Sequence, residues 1–189
     1  MNIAAGLPQE RGKPLSDMDP KGYISKSMAE KFNGYFSIAI KGKHGLEEGT
    51  LVMHNGDIVS SDYEYYRFNK SFKAEDGFER CLNALYAKSG ILDSFSLTSY
   101  QVQLVLTLNE EANLREKVTR ETLKFPDSFS YSFEESLSAG LPSGELSRIQ
   151  LFKKLGLAQD TGGRTTKEAL LRKAKSESTE IEEAFSKKE

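Results

Sequence analysis

Hydrophobic and polar residues alternate most clearly between residues 34 and 67, where short apolar runs are separated by glycine-bearing turns. The run at 35–41 alternates phenylalanine and isoleucine with small or polar residues, as the residues of a half-buried strand do. A run at 50–54 and a third run after it flank Asn55-Gly56, a dipeptide that tolerates the positive φ angles of a tight hairpin. The pattern predicts a three-stranded antiparallel meander.

Apolar residues recur at helical spacing on both sides of this meander. A helix is predicted to begin at Asp19-Pro20, because aspartate caps free amides and proline is preset for the first turn. Two more helices are predicted over residues 75–87 and 99–109, with a fourth strand over 91–97. The order helix–β–β–β–helix–β–helix predicts an α+β fold, in which helices pack on one face of an antiparallel sheet of about four strands.

The composition changes on either side of this core domain, which we place at residues 17–112. Residues 1–16 contain two glycines and two prolines among polar residues, and are predicted to be an extended arm that resists a regular element. Residues 113–145 are predicted to be an irregular connector with room for one short helix. A C-terminal helical extension is predicted over 146–175, and a flexible tail over 176–189.

Composition and charge narrow the function classes. The chain has 189 residues and a net charge of −2, whereas a dedicated nucleic-acid binder usually has a basic excess that neutralises phosphates. Any basic patch must therefore be local. A single cysteine, Cys81, excludes an intramolecular disulfide and suits a reducing compartment. The amino terminus lacks a secretory signal, and no apolar run approaches the ~18 residues of a membrane span, so we expect a cytoplasmic protein without membrane association.

The sequence contains no pattern typical of a catalytic, cofactor or metal site. His44 and His54 have no cysteine near them and do not make up a zinc ligand set. Cys81 falls within the apolar stripe of a predicted helix, where a thiol behaves as a small hydrophobe. Adjacent glutamates diverge on any regular element, so Glu47-Glu48 and Glu134-Glu135 are predicted to be solvated surface. We therefore expect no enzyme activity, no cofactor and no metal.

An aromatic run is the first candidate for contact with a partner. Tyr63, Tyr65, Tyr66 and Phe68 place aromatic area on both faces of a strand end and on the loop after it. Tyrosine combines an apolar ring with a polar tip, which favours interfaces. The alternative is that two of the rings pack in the core while the others cover a sheet edge.

A helix and a turn are the other candidates. The predicted helix over 99–109, which includes Leu106, is apolar around much of its surface, so it lies either deep in one core or between the core and a partner. The turn after the first strand carries Lys41, Lys43 and His44. These three residues are predicted to form a basic hairpin tip that could contact an acidic partner.

The glycines and turns of the central region carry a family resemblance. The segments concerned are FNGYFSIAIKG, EEGTLVMHNGDIVSSDYEY, FERCLNALYAKSG and LTSYQVQLVLTLNEE, within residues 32–111. They resemble an archaeal family of uncharacterised proteins, itself similar to the PATAN-type domain. The resemblance implies a non-catalytic, dimerising interaction domain with a role in regulation, and it supplies no catalytic residues.

We therefore expect a non-enzymatic adaptor or regulatory protein that acts through protein–protein contacts, as a homodimer formed by the helix at 99–109 or by a sheet edge. The alternative is an RNA- or ribosome-associated factor that binds through the basic hairpin tip and a basic C-terminal helix. The basic residues of that helix are Arg164, Lys167, Arg172, Lys173 and Lys175.

Overall fold

Antiparallel strands dominate residues 1–138, which are the part of the chain described by the structure, a computed structural model. Seven strands and four α-helices lie within these residues. In chain order they are β1 (Leu7–Pro14), α1 (Pro20–Ala29), β2 (Gly34–Lys41), β3 (Leu46–His54), β4 (Asp57–Tyr65), β5 (Lys70–Lys73), α2 (Ala74–Ala84), β6 (Gly90–Ser96), α3 (Ser99–Leu108), β7 (Asn113–Val118) and α4 (Ser132–Ser138). The helical extension and the tail predicted over 146–189 lie outside the described residues.

The strands form one sheet in the order β1-β6-β2-β3-β4-β5, and β7 also pairs with β4. Each pairing is antiparallel. The predicted α+β class is confirmed, and the predicted meander corresponds to β2, β3 and β4. The prediction of about four strands is wrong, because the sheet has seven.

The three unpredicted strands are β1, β5 and β7. Residues 7–14, predicted to resist a regular element, form the edge strand β1 on β6, and two register irregularities interrupt this pairing. An edge strand accepts prolines because its outer amides need no partner. The short strands β5 and β7 pair with different parts of β4, so the sheet includes residues beyond the core boundary predicted at residue 112.

The larger hydrophobic core lies on the sheet face that α1 and α2 cover. Inward side chains of β2 and β3, such as Phe36, Ile38 and Leu51, are buried there together with Ile24 of α1 and Cys81 of α2. This alternation agrees with the half-buried strand predicted at 35–41.

A second, smaller core lies on the opposite face. Val52 is fully buried between Leu51 and Met53, and it packs with Val102 and Val105 of α3. The prediction that the helices pack on one face of the sheet is therefore wrong. A continuous apolar run such as Leu51-Val52-Met53 is typical of a strand that is buried on both faces.

Side-chain caps fix two of the helix starts. The Asp19 carboxylate accepts a hydrogen bond from the Lys21 amide, and Pro20 opens α1, as predicted. At α3, the Thr98 hydroxyl and the Gln101 side chain form a reciprocal capping box, which satisfies amides that have no partner within the helix. None of the helices between residues 1 and 138 is long and apolar enough to cross a membrane.

Candidate functional site

The basic hairpin tip and the aromatic run lie beside each other at one end of the sheet. The tip consists of Lys41, the last residue of β2, and the β2–β3 turn, residues 42–45. Its His44 ring contacts the Phe68 ring edge-on at a centroid distance of 5.7 Å. Phe68 in turn packs against Tyr65 at 6.2 Å. Lys41, Lys43 and His44 are all exposed. The structure thus brings two of the three candidate surfaces together.

The four aromatic candidates have different environments. Tyr63 and Tyr65 face inward on β4 and are 1% and 2% exposed. These two rings therefore pack in the core, as in the alternative stated for the aromatic run. Phe68 is half-buried, whereas Tyr66 is 50% exposed. The Tyr66 hydroxyl donates a hydrogen bond of 2.6 Å to Glu48 Oε2, and this bond is the main cause that raises the pKa of Tyr66 to about 12. Tyr66 is therefore the one member of the run whose ring is largely open to a partner.

Glu47 is a carboxylate inside the core beneath the tip. It is 4% exposed, and its Oε2 accepts a 2.6 Å hydrogen bond from the Tyr63 hydroxyl. Its Oε1 is buried and has no hydrogen-bond partner among the described residues. The prediction that this glutamate is solvated is wrong, because Glu47 shares its strand parity with Leu51, whose side chain faces the core.

Burial controls the protonation of Glu47. Its pKa is raised from the ordinary 4.5 to about 7, mainly by desolvation; the Tyr63 hydrogen bond acts in the opposite direction, and the nearby Glu134 charge contributes to the rise. Burial also raises the pKa of the Tyr63 hydroxyl, which therefore remains a hydrogen-bond donor. Glu47 can therefore hold or release a proton near neutral pH.

The second buried carboxylate comes from α4. Glu134 is 3% exposed, so the prediction that it is solvated is also wrong. Its two oxygens accept hydrogen bonds from the backbone amides of Lys43, at 2.8 Å, and His44, at 2.5 Å. Successive amides that converge on one anion form a nest. The Lys43 ammonium also lies 3.4 Å from Glu135 Oε1, so the start of α4 binds both the backbone and the side chain of the tip.

Two side chains of α2 hold the same segment. The Arg80 guanidinium lies 3.6 Å from the Phe72 ring centroid and 4.8 Å from that of Phe133. Asn83 makes reciprocal hydrogen bonds of 2.9 and 2.8 Å with the carbonyl and amide of Ser130. Sequence reasoning missed both residues, because their partners lie far along the chain, 47 residues away for Asn83.

The third candidate, α3, lies away from the tip. Leu106 is half-buried against the smaller core. The exposed apolar side chains of α3 are instead Tyr100, Leu104 and Leu108, at 76%, 42% and 58%. Their spacing of four residues places them on one stripe of the helix. We call these three residues the α3 stripe.

The remaining chemistry of the described residues is limited. Cys81 is fully buried, and burial raises the pKa of its thiol, which disfavours a reactive thiolate. Between residues 1 and 138, no three His, Cys, Asp or Glu side chains are grouped so that they could hold a metal ion.

The comparisons with known proteins identify a family. The family described as an uncharacterized protein conserved in archaea (DUF2226) matches residues 1–109 of this chain. The chain belongs to the DUF2226 family. No curated protein and no solved structure matches it.

The DUF2226 match divides the candidate site. Residues 1–109 contain the hairpin tip, Glu47, the two α2 side chains and the α3 stripe. Glu134 and the rest of α4 lie beyond the matched residues. The nest therefore belongs to the DUF2226 region, and the carboxylate that it binds comes from outside that region.

An acidic pocket lies on the sheet face opposite Glu47. Glu48 and Glu64 sit directly across from each other on β3 and β4, and with Asp62 they line a cavity of ≈ 250 Å³. The Met1 ammonium lies 2.8 Å from Asp62 Oδ2. Neighbouring like charges on paired strands are unfavourable, and this ammonium offsets part of their repulsion.

Proposed function

We propose that this DUF2226 protein is a non-enzymatic cytoplasmic adaptor or regulatory module that acts through protein contacts and pairs with a second copy of itself through α3. The observation that carries the proposal is the α3 stripe. Val102 and Val105 bury one side of the helix in the smaller core, while Tyr100, Leu104 and Leu108 expose large apolar side chains on another. The resemblance to dimerising interaction domains supports the same function.

The chemistry of α3 favours a second copy as the partner. The helix reads SYQVQLVLTL and has no charged residue, although 29% of the chain is charged. Two copies of α3 can therefore approach without like-charge repulsion and without burying an unpaired charge. In a twofold arrangement with antiparallel helices, Leu104 packs against its own copy, and Tyr100 packs against Leu108 of the second copy.

The size of the stripe sets the expected affinity. A ten-residue helix is about 15 Å long, whereas specific interfaces bury about 1,200–2,000 Å² in total. A contact centred on α3 falls at the small end of this range. We therefore expect a reversible dimer with a dissociation constant in the micromolar range, about −8 kcal/mol or weaker.

The RNA- or ribosome-binding alternative receives less support. The two tip amides that a phosphate would use donate to the Glu134 carboxylate instead, and the Lys43 ammonium lies against Glu135. The basic C-terminal residues of that prediction lie outside the described part of the chain. Binding to RNA stays a prediction that sedimentation with ribosomal fractions at low salt would test.

Light scattering across a range of protein concentrations tests the dimer. We expect the wild-type chain to approach the mass of a dimer as its concentration rises. Leu104→Glu is expected to weaken association at least about tenfold, equivalent to about 1.4 kcal/mol, because two charges would meet at the centre of the contact. Leu106 is a poorer test position, since its side chain packs against the smaller core.

Leu46→Glu is the matched control for this experiment. Leu46 is 55% exposed and lies at the opposite end of β3 from Val52, the residue on which α3 packs. Because Leu46 is distant from α3, the same substitution there should leave association unchanged. Circular dichroism should show that both variants are folded. A wild-type chain that stays monomeric at the highest concentration, or equal weakening by both variants, would contradict the proposal.

A further inference from the structure

We propose that the hairpin tip, together with Arg80 and Asn83, is a binding site for a short acidic segment of a partner protein in which phenylalanine precedes glutamate. In this structure the chain's own α4 occupies the site. The site adds a second, exchangeable contact surface to the domain, and its existence does not depend on the α3 dimer.

The carboxylate position is the most specific part of the site. Two amides, from Lys43 and His44, donate to one carboxylate, and hydrogen bonds to an ionised acceptor are about twice as strong as neutral ones. A Cβ atom at Gly42 would collide with the Glu47 carboxylate and come within 3.2 Å of Glu134 Oε1. Glycine at 42 therefore leaves room beside the turn for Glu47 and for the bound carboxylate.

Arg80 supplies the aromatic position. Its guanidinium is enclosed by the rings of Phe72 and Phe133, and its Nη1 donates to the Asp76 carbonyl at 2.7 Å. Phe72 and Asp76 are on β5 and at the start of α2, next to Arg80 in the fold, so they hold the guanidinium in place. The side of this cation that Phe133 covers is the surface that an incoming ring would take over, because cations attract the faces of aromatic rings.

Asn83 supplies a contact that depends only on backbone. Its side-chain amide pairs with both the carbonyl and the amide of Ser130. The site therefore recognises three groups of the bound segment: one peptide group, an aromatic ring three residues later and a carboxylate at the next residue. This pattern corresponds to Ser130, Phe133 and Glu134 in the bound segment.

The bound segment is suited to exchange. α4 has seven residues, and isolated helices shorter than about 12–15 residues are marginal in water, so its order depends on its contacts with the site and on the packing of Phe133 and Leu137 against the larger core. Residues 119–131, which connect it to β7, contain no strand and no α-helix. Since α4 lies beyond the sheet, it can leave the tip without breaking a strand pairing.

The covalent connection between β7 and α4 determines how strongly α4 competes with a partner peptide for the site. Because α4 is joined to the rest of the fold through residues 119–131, it competes as an intramolecular ligand whose effective concentration depends on the length and stiffness of that connection. A free peptide should therefore bind the wild-type chain weakly, and should bind much better once α4 is weakened.

Fluorescence anisotropy with a labelled peptide of residues 129–138, FSYSFEESLS, tests this site on the full-length chain. We expect the peptide to bind the Phe133→Ala/Glu134→Gln variant at least about tenfold more tightly than wild type, because the competing segment is weakened. A peptide with the same two substitutions should not bind. Adding Arg80→Leu to the protein variant should weaken binding at least about tenfold, because the cation beneath the ring is lost.

Hydrogen exchange of the wild-type chain gives a second, independent readout. The amides of Lys43 and His44 should be protected in wild type and should exchange faster in Glu134→Gln. Absence of peptide binding at millimolar concentration, binding that survives Arg80→Leu unchanged, or unprotected tip amides in wild type would each overturn the proposal. Light scattering of the same samples separates these outcomes from failure of the α3 dimer.

Discussion

Replacing Glu47 by glutamine is expected to stabilise the fold by up to about 3 kcal/mol at pH 8 and to flatten its stability profile below neutral pH. The pKa of Glu47 is about 7 in the folded protein, against an ordinary value of 4.5. Between these two values the folded protein holds a proton that the unfolded chain has lost. Stability therefore falls as the pH rises through this window, and the loss is complete above it.

The local geometry explains why glutamine should remove the loss. Its amide oxygen can still accept from the Tyr63 hydroxyl, as Glu47 Oε2 does. Its amide nitrogen would stand where the unpartnered Oε1 is now buried, and it carries no negative charge to repel Glu134. The substitution thus keeps the hydrogen bond and removes the cost of burying a charge.

Chemical denaturation of wild type and Glu47→Gln at pH values from 4 to 8 measures this effect. The difference in free energy of unfolding should grow with pH from about 4.5 to 7 and then become constant. Glu48→Gln is the matched control, because Glu48 is adjacent in sequence but lies on the opposite sheet face and is half-buried; this variant should keep the fall in stability that Glu47 causes in wild type between pH 4.5 and 7. Parallel profiles for wild type and Glu47→Gln would show that folding does not raise the pKa of Glu47, and would contradict this prediction.

Gly49→Val is expected to lower the free energy of unfolding by about 3 kcal/mol, through overpacking of the larger core. Even a Cβ atom at Gly49 would lie 2.8 Å from both Cys81 Sγ and Tyr63 Cδ2. Both neighbours are at most 1% exposed and cannot move into solvent. Valine would therefore push α2 away from the sheet, and Arg80 and Asn83 would move with it.

Ala39→Val is the control for Gly49→Val. Ala39 is on the neighbouring strand but on the opposite face, where it is half-buried, and valine favours strands. Urea denaturation should show a change within about 0.5 kcal/mol for this variant. If Gly49→Val lowers the free energy of unfolding no more than Ala39→Val does, then α2 does not pack against β3 as closely as the structure shows.

Local sequence signals explain which parts of the fold were predictable. The β2–β4 meander was predicted because alternation and the Asn55-Gly56 turn lie within one short stretch. The start of α1 was predicted because its cap and proline are adjacent. Strands β1, β5 and β7 have few buried side chains, and their pairing partners are defined by the tertiary fold, so local composition did not mark them.

The candidate site was predictable only in part. The hairpin tip and the aromatic run were both identified from the sequence. Their contact through His44 and Phe68 was not, because it depends on the tertiary fold. Glu47 had a signal that was overlooked, since its parity with Leu51 places it on the core face of β3. The position of Glu134 had no such signal, because its donors are the amides of the tip, up to 91 residues earlier in the chain.

Disulfide trapping of a Leu104→Cys chain tests most directly whether two copies pair through α3. The native thiol, Cys81, is fully buried and should not compete, and a disulfide requires the two Cα atoms to come within about 7 Å. We predict that mild oxidation links Leu104→Cys into a covalent dimer far faster than it links Leu46→Cys. Leu46 is the first residue of β3, at the opposite end of that strand from Val52, on which α3 packs. Equal rates of linkage, or no covalent dimer of Leu104→Cys, would contradict the account.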